Sequence, residues 1–393
     1  MKCADIFNKT YNYEPQGVVF CPYRVCPIGA HSDHQYGKIT GFAIDRGIHI
    51  AYGGKQNGVI ELVSLNFSKR AQFHIKNTPE EKQNDWADYL RGAMIALSKN
   101  HQLHTGLCGV IEGSLPIGGL SSSAAVIIAF LYALCEVNGI QLSEHEMILT
   151  ALAAENDYMG ISVGKLDQSC EIYSRKNHLL YLDTLDDFYE LIPRKDTSKP
   201  FEIAVFFSGI ERTLSGSKFN ARVDECKAAA YALMALEGME YDKFETAVLR
   251  NVPYEVFRKH EKKLPDNWRK RAEHWYTEFF RVQTGVQAWR DGDIEAFGKL
   301  SFQSGHSSIY NYETGSDELK KLYETMLETD GIYGGRFSGA GFKGCCMALI
   351  DPAFKENIEQ KITKEYIREF PALAAKFSVH FCETANGAGK TEV

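Results

Sequence analysis

Residues 115–125 read Leu-Pro-Ile-Gly-Gly-Leu-Ser-Ser-Ser-Ala-Ala and stand directly before the apolar run of residues 126–134. A glycine turn lets the backbone approach an anion closely, and the helix after it points free N–H groups and its positive dipole end at that anion. The hydroxyls of Ser121, Ser122 and Ser123 can donate to phosphate oxygens or ligate a hard cation. The stretch therefore predicts a polyphosphate site; the alternative is an ordinary helix start with the same residue types.

Three charged residues elsewhere in the chain, Arg24, Glu155 and Asp167, are of the types that phosphoryl transfer needs. That reaction requires a phosphate cradle, oxygen ligands for magnesium, a base or orienting group for the attacking hydroxyl, and a cation for the developing charge. Taken singly, an aspartate at a helix start is often a cap, and an arginine before a turn is often a surface charge. Together with the glycine and serine loop, they favour a phosphotransferase.

Three further motifs indicate no site of their own. Residues 339–344 match the dinucleotide pattern G-x-G-x-x-G, but the residues after them favour a strand, whereas a dinucleotide loop opens a helix. Residues 389–391 resemble the end of a P-loop, but Thr384 stands where its first glycine belongs. The pair His31 and Asp33 has the spacing of half an iron triad, whose fold would be nearly all β.

Composition narrows the class of protein. With 393 residues, 44% of them hydrophobic, the chain can bury a large core and form two domains. A net charge of -7 argues against nucleic-acid and membrane-surface partners, which select a basic face. The ten cysteines have no regular spacing and are expected to be buried thiols in a reducing compartment. No leader or membrane-spanning run is evident, so we expect a cytoplasmic protein, monomeric or homodimeric.

The elements that must position these residues follow from local patterns. Strands are predicted at residues 17–25 and 47–52, and Asn57-Gly58 predicts a hairpin between the second of these and the strand that follows. Helical spacing begins near Trp86, and Ser143 with Glu146 forms a capping-box pattern for a helix that continues until Gly160.

A second helix is predicted from Leu166, which places Asp167 at its start. A polar stretch at residues 196–200 precedes a strand at residues 201–207. We therefore predict one domain over residues 1–196 and another over residues 197–393. The second half is mostly helical, with a further strand at residues 344–350.

Four segments together resemble the motifs of the GHMP kinases, in the order and spacing of the galactokinase branch; they are residues 24–37, 115–125, 155–168 and 331–346. The resemblance covers nearly the whole chain. It implies an α/β (α+β) fold of two domains, the second ferredoxin-like, with the active site in the cleft between them. It also implies an ATP-dependent kinase that phosphorylates the anomeric hydroxyl of a sugar with Mg2+.

The resemblance assigns roles by position. Asp167 corresponds to the catalytic aspartate and Arg24 to the arginine beside it, while Ser123 and Glu155 correspond to the magnesium ligands. The implied sugar-binding positions are Ala30, His31, Asp33, Gly164 and Phe219. The implied nucleotide-binding positions are Trp86, Pro116, Gly118, Gly119, Leu120, Ser121, Ser122 and Ser123.

Departures from galactokinases indicate the substrate. Galactokinases carry a glutamate before the histidine, facing the 6-hydroxyl; here the residue is Ala30. A buried carboxylate facing a substrate carboxylate would cost roughly 2–5 kcal/mol, so its absence favours a sugar that is acidic at C6. Phe219 replaces a tyrosine and Lys343 a glycine, and the motif details are most similar to those of galacturonokinases. The sequence does not decide which cation pairs with the substrate carboxylate; the candidates are Lys218, Arg212 and His34.

Two alternatives remain. One is a galactokinase acting on galactose. The other, from a different class, is a catalytically silent regulator that binds sugar and nucleotide, since the phosphate loop is one glycine shorter than in galactokinases and the family contains such sensors. Retention of Arg24, Ser123, Glu155 and Asp167 together favours catalysis, because a sensor needs no base.

Overall fold

The computed structural model describes residues 2–210 and 215–391, which form two β-sheets surrounded by helices. The strands are β1 (Gly17–Val25), β2 (Lys38–Lys55), β3 (Val59–Ser64), β4 (Ala71–His74), β5 (Gly106–Gly113), β6 (His178–Asp183), β7 (Tyr189–Pro193), β8 (Glu202–Phe207), β9 (Ile332–Phe337), β10 (Cys345–Ile350), β11 (Ser378–Cys382), β12 (Thr384–Ala385) and β13 (Gly389–Thr391). The helices are α1 (Lys2–Tyr11), α2 (Asp88–Ser98), α3 (Ser122–Asn138), α4 (Glu144–Ala153), α5 (Leu166–Tyr173), α6 (Ser215–Glu237), α7 (Tyr254–His260), α8 (Asp266–Asp291), α9 (Ile294–Tyr310), α10 (Asp317–Leu327) and α11 (Lys355–Glu369). Both strands and helices therefore occur in each half of the chain, as the sequence predicts.

The first sheet has the strand order β13-β1-β2-β5-β3-β4, and β6, β7 and β12 are attached through β2. The predicted hairpin at Asn57-Gly58 is wrong. The turn exists, but β5 lies between β2 and β3, pairing antiparallel with the former and parallel with the latter. The close approach of β5 depends on Gly106, because a Cβ there would overlap the backbone of Val59. A local turn signal does not reveal a strand that enters from elsewhere in the sequence.

The second sheet has the strand order β11-β8-β10-β9 and is antiparallel throughout. Helices separate β8 from β9 and β10 from β11, so the order of elements is the β-α-β-β-α-β arrangement of ferredoxin-like domains. Cys345 and Cys346 begin β10, as the sequence predicts, and all ten cysteines are buried free thiols. This sheet places the loop before β10 at the boundary with the first sheet.

One apolar core contains residues of both sheets and of α3, α8 and α9. β12 and β13 lie in the first sheet although they follow the second sheet in sequence, pairing with β2 and β1. The division of the chain at residues 196 and 197 stays a prediction.

Local sequence signals account for the helices nearest the cleft. Ser143 and Glu146 form the predicted capping box at the start of α4, which continues through a π-helical turn at Ala154–Tyr158. Gly160, with φ +69°, follows this helix, as predicted. Helix α5 begins at Leu166, so Asp167 lies in its first turn. None of the helices in the described part of the chain combines the length and apolarity needed to cross a membrane.

Candidate active site

A cavity in the cleft between the two sheets adjoins a second cavity within the first half of the chain, and the two share Tyr89, Ile117, Ser122 and Ser123. The first cavity holds the residues predicted to carry the chemistry: Arg24, Ala30, His31, Asp33, Gly118, Gly119, Ser121, Ser122, Ser123, Glu155, Gly164, Asp167 and Phe219. The second is lined largely by apolar side chains and contains Trp86. Residues that are far apart in the sequence therefore meet at a single site.

The centre of the first cavity is an ion pair between Arg24 and Asp167. Arg24 Nε donates to Asp167 Oδ1 at 2.7 Å, and Arg24 Nη1 lies 3.2 Å from Gly119 O and 3.3 Å from Ser338 Oγ. Arg24 is 3% exposed, and although burial opposes its charge, Asp167 raises its pKa, so it stays a cation. A buried arginine thus orients the aspartate and joins segments from both halves of the chain.

The phosphate loop (residues 116–123) has the geometry of an anion cradle. Gly118 and Gly119 have φ of +132° and +83°, and Ser121 is left-handed at φ +58°, directly before α3. Ser121 Oγ is buried and has no hydrogen-bond partner. Free N–H groups at the helix start and an unpartnered buried hydroxyl fit the phosphates of a nucleotide.

A second glycine-rich segment, the clasp loop (residues 338–344), packs against the phosphate loop. A Cβ on Gly344 would lie 2.6 Å from Gly118 C, and one on Gly339 would lie 3.0 Å from Gly119 Cα. Ser338, Gly339, Ala340 and Lys343 also line the first cavity. The strand predicted after this loop is present as β10. The sequence analysis missed the contact between the two loops, for which the glycines were the available signal.

Glu155 and Ser123 provide the oxygen atoms that a hard cation prefers. The Ser123 hydroxyl lies beside the Glu155 carboxylate, and Gln168 Nε2 donates to Glu155 Oε2 at 2.6 Å. Burial, followed by the charge of Asp167, raises the pKa of Glu155 to about 7. A divalent cation would stabilise this crowded carboxylate, so the donor set fits magnesium. No group of three or more His, Cys, Asp or Glu residues with metal-site geometry occurs within residues 2–210 and 215–391.

On the sugar side, α8 fixes the turn that carries His31. His274 Nε2 donates to Ala30 O at 3.1 Å, Trp275 Nε1 donates to Ser32 O at 3.3 Å, and the Gly29 N–H donates to Glu278 Oε1 at 2.6 Å. These contacts explain why an N-terminal turn depends on a helix more than 240 positions away. The sequence did not identify His274 and Glu278 as supports of the site.

His31 is arranged to accept a hydrogen bond. Its Nε2 lies 3.0 Å from Gly339 O, and because a carbonyl only accepts, the proton is on Nε2. Burial, assisted by Arg336, lowers the pKa of His31 well below its usual value, so the ring is neutral. Its buried Nδ1 has no partner and is available to a sugar hydroxyl.

Asp33 and Gly164 lie against each other in the first cavity. A Cβ at Gly164 would overlap Asp33 Oδ2, and that oxygen accepts the Leu166 N–H at 3.2 Å. Burial, followed by the charge of Asp167, raises the pKa of Asp33 to about 6. Glycine at position 164 therefore leaves room for the Asp33 carboxylate at the start of α5, next to Asp167.

The second cavity has the features of a base pocket. The rings of Trp86 and Phe67 are nearly parallel, with an interplanar angle of 7°, and Trp86 Nε1 donates to Lys69 O at 2.8 Å. Flat apolar walls of this kind accept an aromatic base. Two predicted nucleotide-binding residues line neither cavity: Pro116 is exposed, and Leu120 is buried with its carbonyl 3.4 Å from the Arg24 N–H.

The cations considered from sequence for a substrate carboxylate do not line the first cavity. Burial lowers the pKa of His34 to about 3, and its Nε2 bonds Tyr312 Oη at 2.9 Å, so this residue is neutral and engaged. Lys218 is exposed, with Nζ 5.8 Å from the centre of the Phe342 ring. Arg212 lies outside the described residues. The cavity contains instead Arg336 and Lys343.

Comparison with known proteins identifies three family regions. Residues 88–175 match the GHMP kinases N terminal domain, residues 286–368 the GHMP kinases C terminal domain, and residues 5–53 the galactokinase galactose-binding signature. The galacturonokinase of Arabidopsis thaliana is 38% identical, covering 94% of this chain and 92% of that protein. The galactokinase of Roseiflexus sp. (strain RS-1) is 30% identical, covering 98% and 95%.

Solved structures show the same fold. Lactococcus lactis galactokinase, crystallised with galactose, superposes with a TM-score of 0.89 at 24% identity, covering 99% of this chain and 98% of that one. The Methanococcus jannaschii mevalonate kinase superposes with a TM-score of 0.65 at 14% identity, covering 94% and 98%. The two-domain fold and the family resemblance predicted from the motifs are confirmed.

Proposed function

This chain belongs to the GHMP kinases, among the sugar kinases that include galactokinases, and on that premise we propose that it phosphorylates the anomeric hydroxyl of D-galacturonate with ATP. The product is galacturonate 1-phosphate. The observation that carries the choice of substrate is Ala30, a small neutral residue that lines the first cavity directly before His31. The similarity to a galacturonokinase supports it.

The proposed reaction is a direct in-line transfer. The anomeric hydroxyl of the sugar attacks the γ-phosphate of ATP, while Asp167 accepts or orients the hydroxyl proton. Arg24, 2.7 Å from Asp167, holds that carboxylate in place and offsets negative charge on the transferring group. The phosphate loop and the start of α3 hold the β- and γ-phosphates, and His31 and Asp33 orient the sugar.

Magnesium belongs to the proposal as a cofactor. Ser123 and Glu155 would hold it, and its chemistry would be to neutralise charge on the β- and γ-phosphates. The raised pKa of Glu155 supports this role, because a carboxylate that is buried and lies near the charge of Asp167 gains from a neighbouring cation. We also propose a cytoplasmic location, supported by ten buried free thiols, and a monomer or homodimer without nucleic-acid or membrane partners.

The test is ADP release with Mg-ATP and one of four conditions: D-galacturonate, D-glucuronate, D-galactose or no sugar. Turnover confined to galacturonate is expected. Turnover on galactose instead would establish the second candidate, which the galactose-binding signature at residues 5–53 favours. Sugar binding without ADP release would contradict both and indicate a regulator.

Ala30→Glu directly tests whether the residue at position 30 determines the choice of sugar. The added carboxylate would face the acid group of galacturonate, so we expect kcat/KM to fall for galacturonate and to rise for galactose. An equal change in kcat/KM for the two sugars would show that position 30 does not select the substrate. Ala30→Ser, which adds a small neutral group at the same position, is the matched control.

A further inference from the structure

Three cations line the first cavity among the residues that the structure describes: Arg24, Arg336 and Lys343. Two of them are engaged by the protein itself. Arg24 is paired with Asp167 at 2.7 Å and also bonds Gly119 O and Ser338 Oγ. Asp167 balances most of its charge, and the proposed reaction assigns what remains to the transferring phosphate.

Arg336 is fully buried and similarly occupied. Its Nε donates to Phe337 O, Nη1 to Ser304 Oγ and Nη2 to Ser308 Oγ, with Glu278 Oε1 at 3.9 Å from Nη1. The three guanidinium nitrogens therefore all have partners in the protein. This network fixes β9 against α9, and because the side chain has no exposed surface, its two remaining N–H groups are not accessible to a ligand in the cavity.

Lys343 differs from both arginines. It is partly exposed within the cavity, and within residues 2–210 and 215–391 it has neither an ion pair nor a side-chain hydrogen bond. Its neighbour Phe342 does not line the cavity and instead contacts Lys218. The chain therefore alternates here, with Lys343 at the cavity and Phe342 facing α6.

The position of the clasp loop relates Lys343 to the sugar. Gly339, at one end of the loop, accepts the hydrogen bond of His31, and Gly344, at the other end, touches Gly118 of the phosphate loop. The neutral His31 presents only a lone pair at Nδ1, which accepts a hydroxyl but repels a carboxylate. A carboxylate in this cavity thus needs a donor other than His31, Arg24 or Arg336.

We infer that the Lys343 ammonium group binds the C6 carboxylate of the sugar acid and that this contact selects an acidic over a neutral sugar. The inference rests on the proposed function. Phosphate has its own donors at the start of α3 and in the three serines, whereas Lys343 is the unpaired cation that the described cavity offers to a carboxylate.

The experiment compares Lys343→Met, Lys343→Arg and the unchanged protein with galacturonate, galactose and ATP as the varied substrates. A charged hydrogen bond supports roughly 10- to 100-fold in affinity, so Lys343→Met should raise KM for galacturonate by that factor. KM for ATP should change less than about twofold, and galactose turnover, where measurable, should not fall. Lys343→Arg should restore part of the loss, because it keeps the charge.

Lys320→Met is the matched control. Lys320 lies on α10 beside Gly315, whose N–H bonds Gly341 O of the clasp loop, so the same charge is removed close to the loop but outside the cavity. Its KM values should be unchanged. Thermal unfolding of each variant separates a folding defect from a binding defect.

Several outcomes would overturn the inference. A rise in KM for ATP, or an equal fall in kcat with both sugars, would place Lys343 on the phosphate. If Lys218→Met raises KM for galacturonate more than Lys343→Met does, Lys218 is the residue that binds the carboxylate. If the unchanged protein uses galacturonate and Lys343→Met leaves its KM intact, this inference alone fails. If the unchanged protein does not use galacturonate, the proposed function fails with it.

Discussion

The phosphate loop and the clasp loop meet across the cleft and both contain glycine and serine, yet they differ in function. Each contains glycines at positive φ, including Gly119 and Gly344. Helix α3 follows the first loop, so N–H groups of its first turn are free to face an anion. Strand β10 follows the second loop, and its backbone groups are used in the sheet. The element after a glycine run therefore decides what the run can bind.

Arg24 is the point at which the two loops converge, because it bonds Gly119 O from one and Ser338 Oγ from the other while holding Asp167. Because Arg24 contacts both loops, variants at Asp167 and in each loop can test how the two loops differ. A change at Asp167 should affect chemistry without affecting either loop, whereas a change where the two loops touch should affect the ligands that they bind.

Asp167→Asn should have the largest effect. The amide cannot accept the hydroxyl proton, so kcat should fall about 10³-fold, within the range for loss of a general base. Kd for ATP and for sugar, measured by calorimetry, should stay within a few fold, because both loops remain in place. Unchanged turnover would show that Asp167 is not the catalytic group.

A serine from each loop offers a matched pair. Ser123→Ala should lower kcat/KM about 100-fold and raise the magnesium concentration needed for half-maximal rate, because a ligand is lost. Ser338→Ala removes the acceptor 3.3 Å from Arg24 Nη1 and should cost about tenfold, with no change in magnesium requirement. Magnesium titrations of both variants check this contrast, and identical profiles would contradict it.

Gly344→Ala tests the packing of one loop on the other. The new Cβ would lie 2.6 Å from Gly118 C, so the phosphate loop must shift and KM for ATP should rise together with a loss of thermal stability. Gly238→Ala is the control, since Gly238 has φ +73° with nothing within 4 Å of its Cβ position. It should lose only about 1 kcal/mol from strain. Equal losses of stability would mean that the loops do not press together.

Glu155→Gln should give the smallest change in thermal stability, and that change should be a gain. The pKa of Glu155 is about 7 in the folded chain against an ordinary 4.5. The folded state therefore binds the proton more tightly, and stability is lost as pH rises through that interval. In metal-free buffer the variant should melt a few degrees higher than the parent at pH 8 and equally at pH 5. Added magnesium should reduce the difference at pH 8.

Local patterns predicted much of the fold near the site. The capping box at Ser143 and Glu146, the start of α5 beside Asp167, and the strand after Gly344 all depend on neighbours in sequence. Short-range capping and turn chemistry act within a few residues, so they are visible in a single sequence. The family motifs then brought the distant parts of the site together.

The contacts that sequence reasoning missed are long-range. Insertion of β5 between β2 and β3 depends on burial of both faces and on glycines that admit a close neighbour, which no hairpin signal reports. Support of Ala30 O by His274 joins residues separated by 244 positions. The strand after the clasp loop was predicted, but the loop's contact with the phosphate loop was not, because the phosphate loop lies more than 200 residues earlier in the chain.

Strand β13 has a consequence for synthesis on the ribosome. Thr391 bonds Val18 across 373 positions, so β1 lacks this neighbour until nearly the whole described chain has been translated. At about 5–20 residues per second, the delay is roughly 20–75 s. During that time the backbone of β1 is an open edge that other nascent chains can pair with. The first sheet therefore has the first strand to be synthesised, but its last strand, β13, is synthesised after all strands of the second sheet.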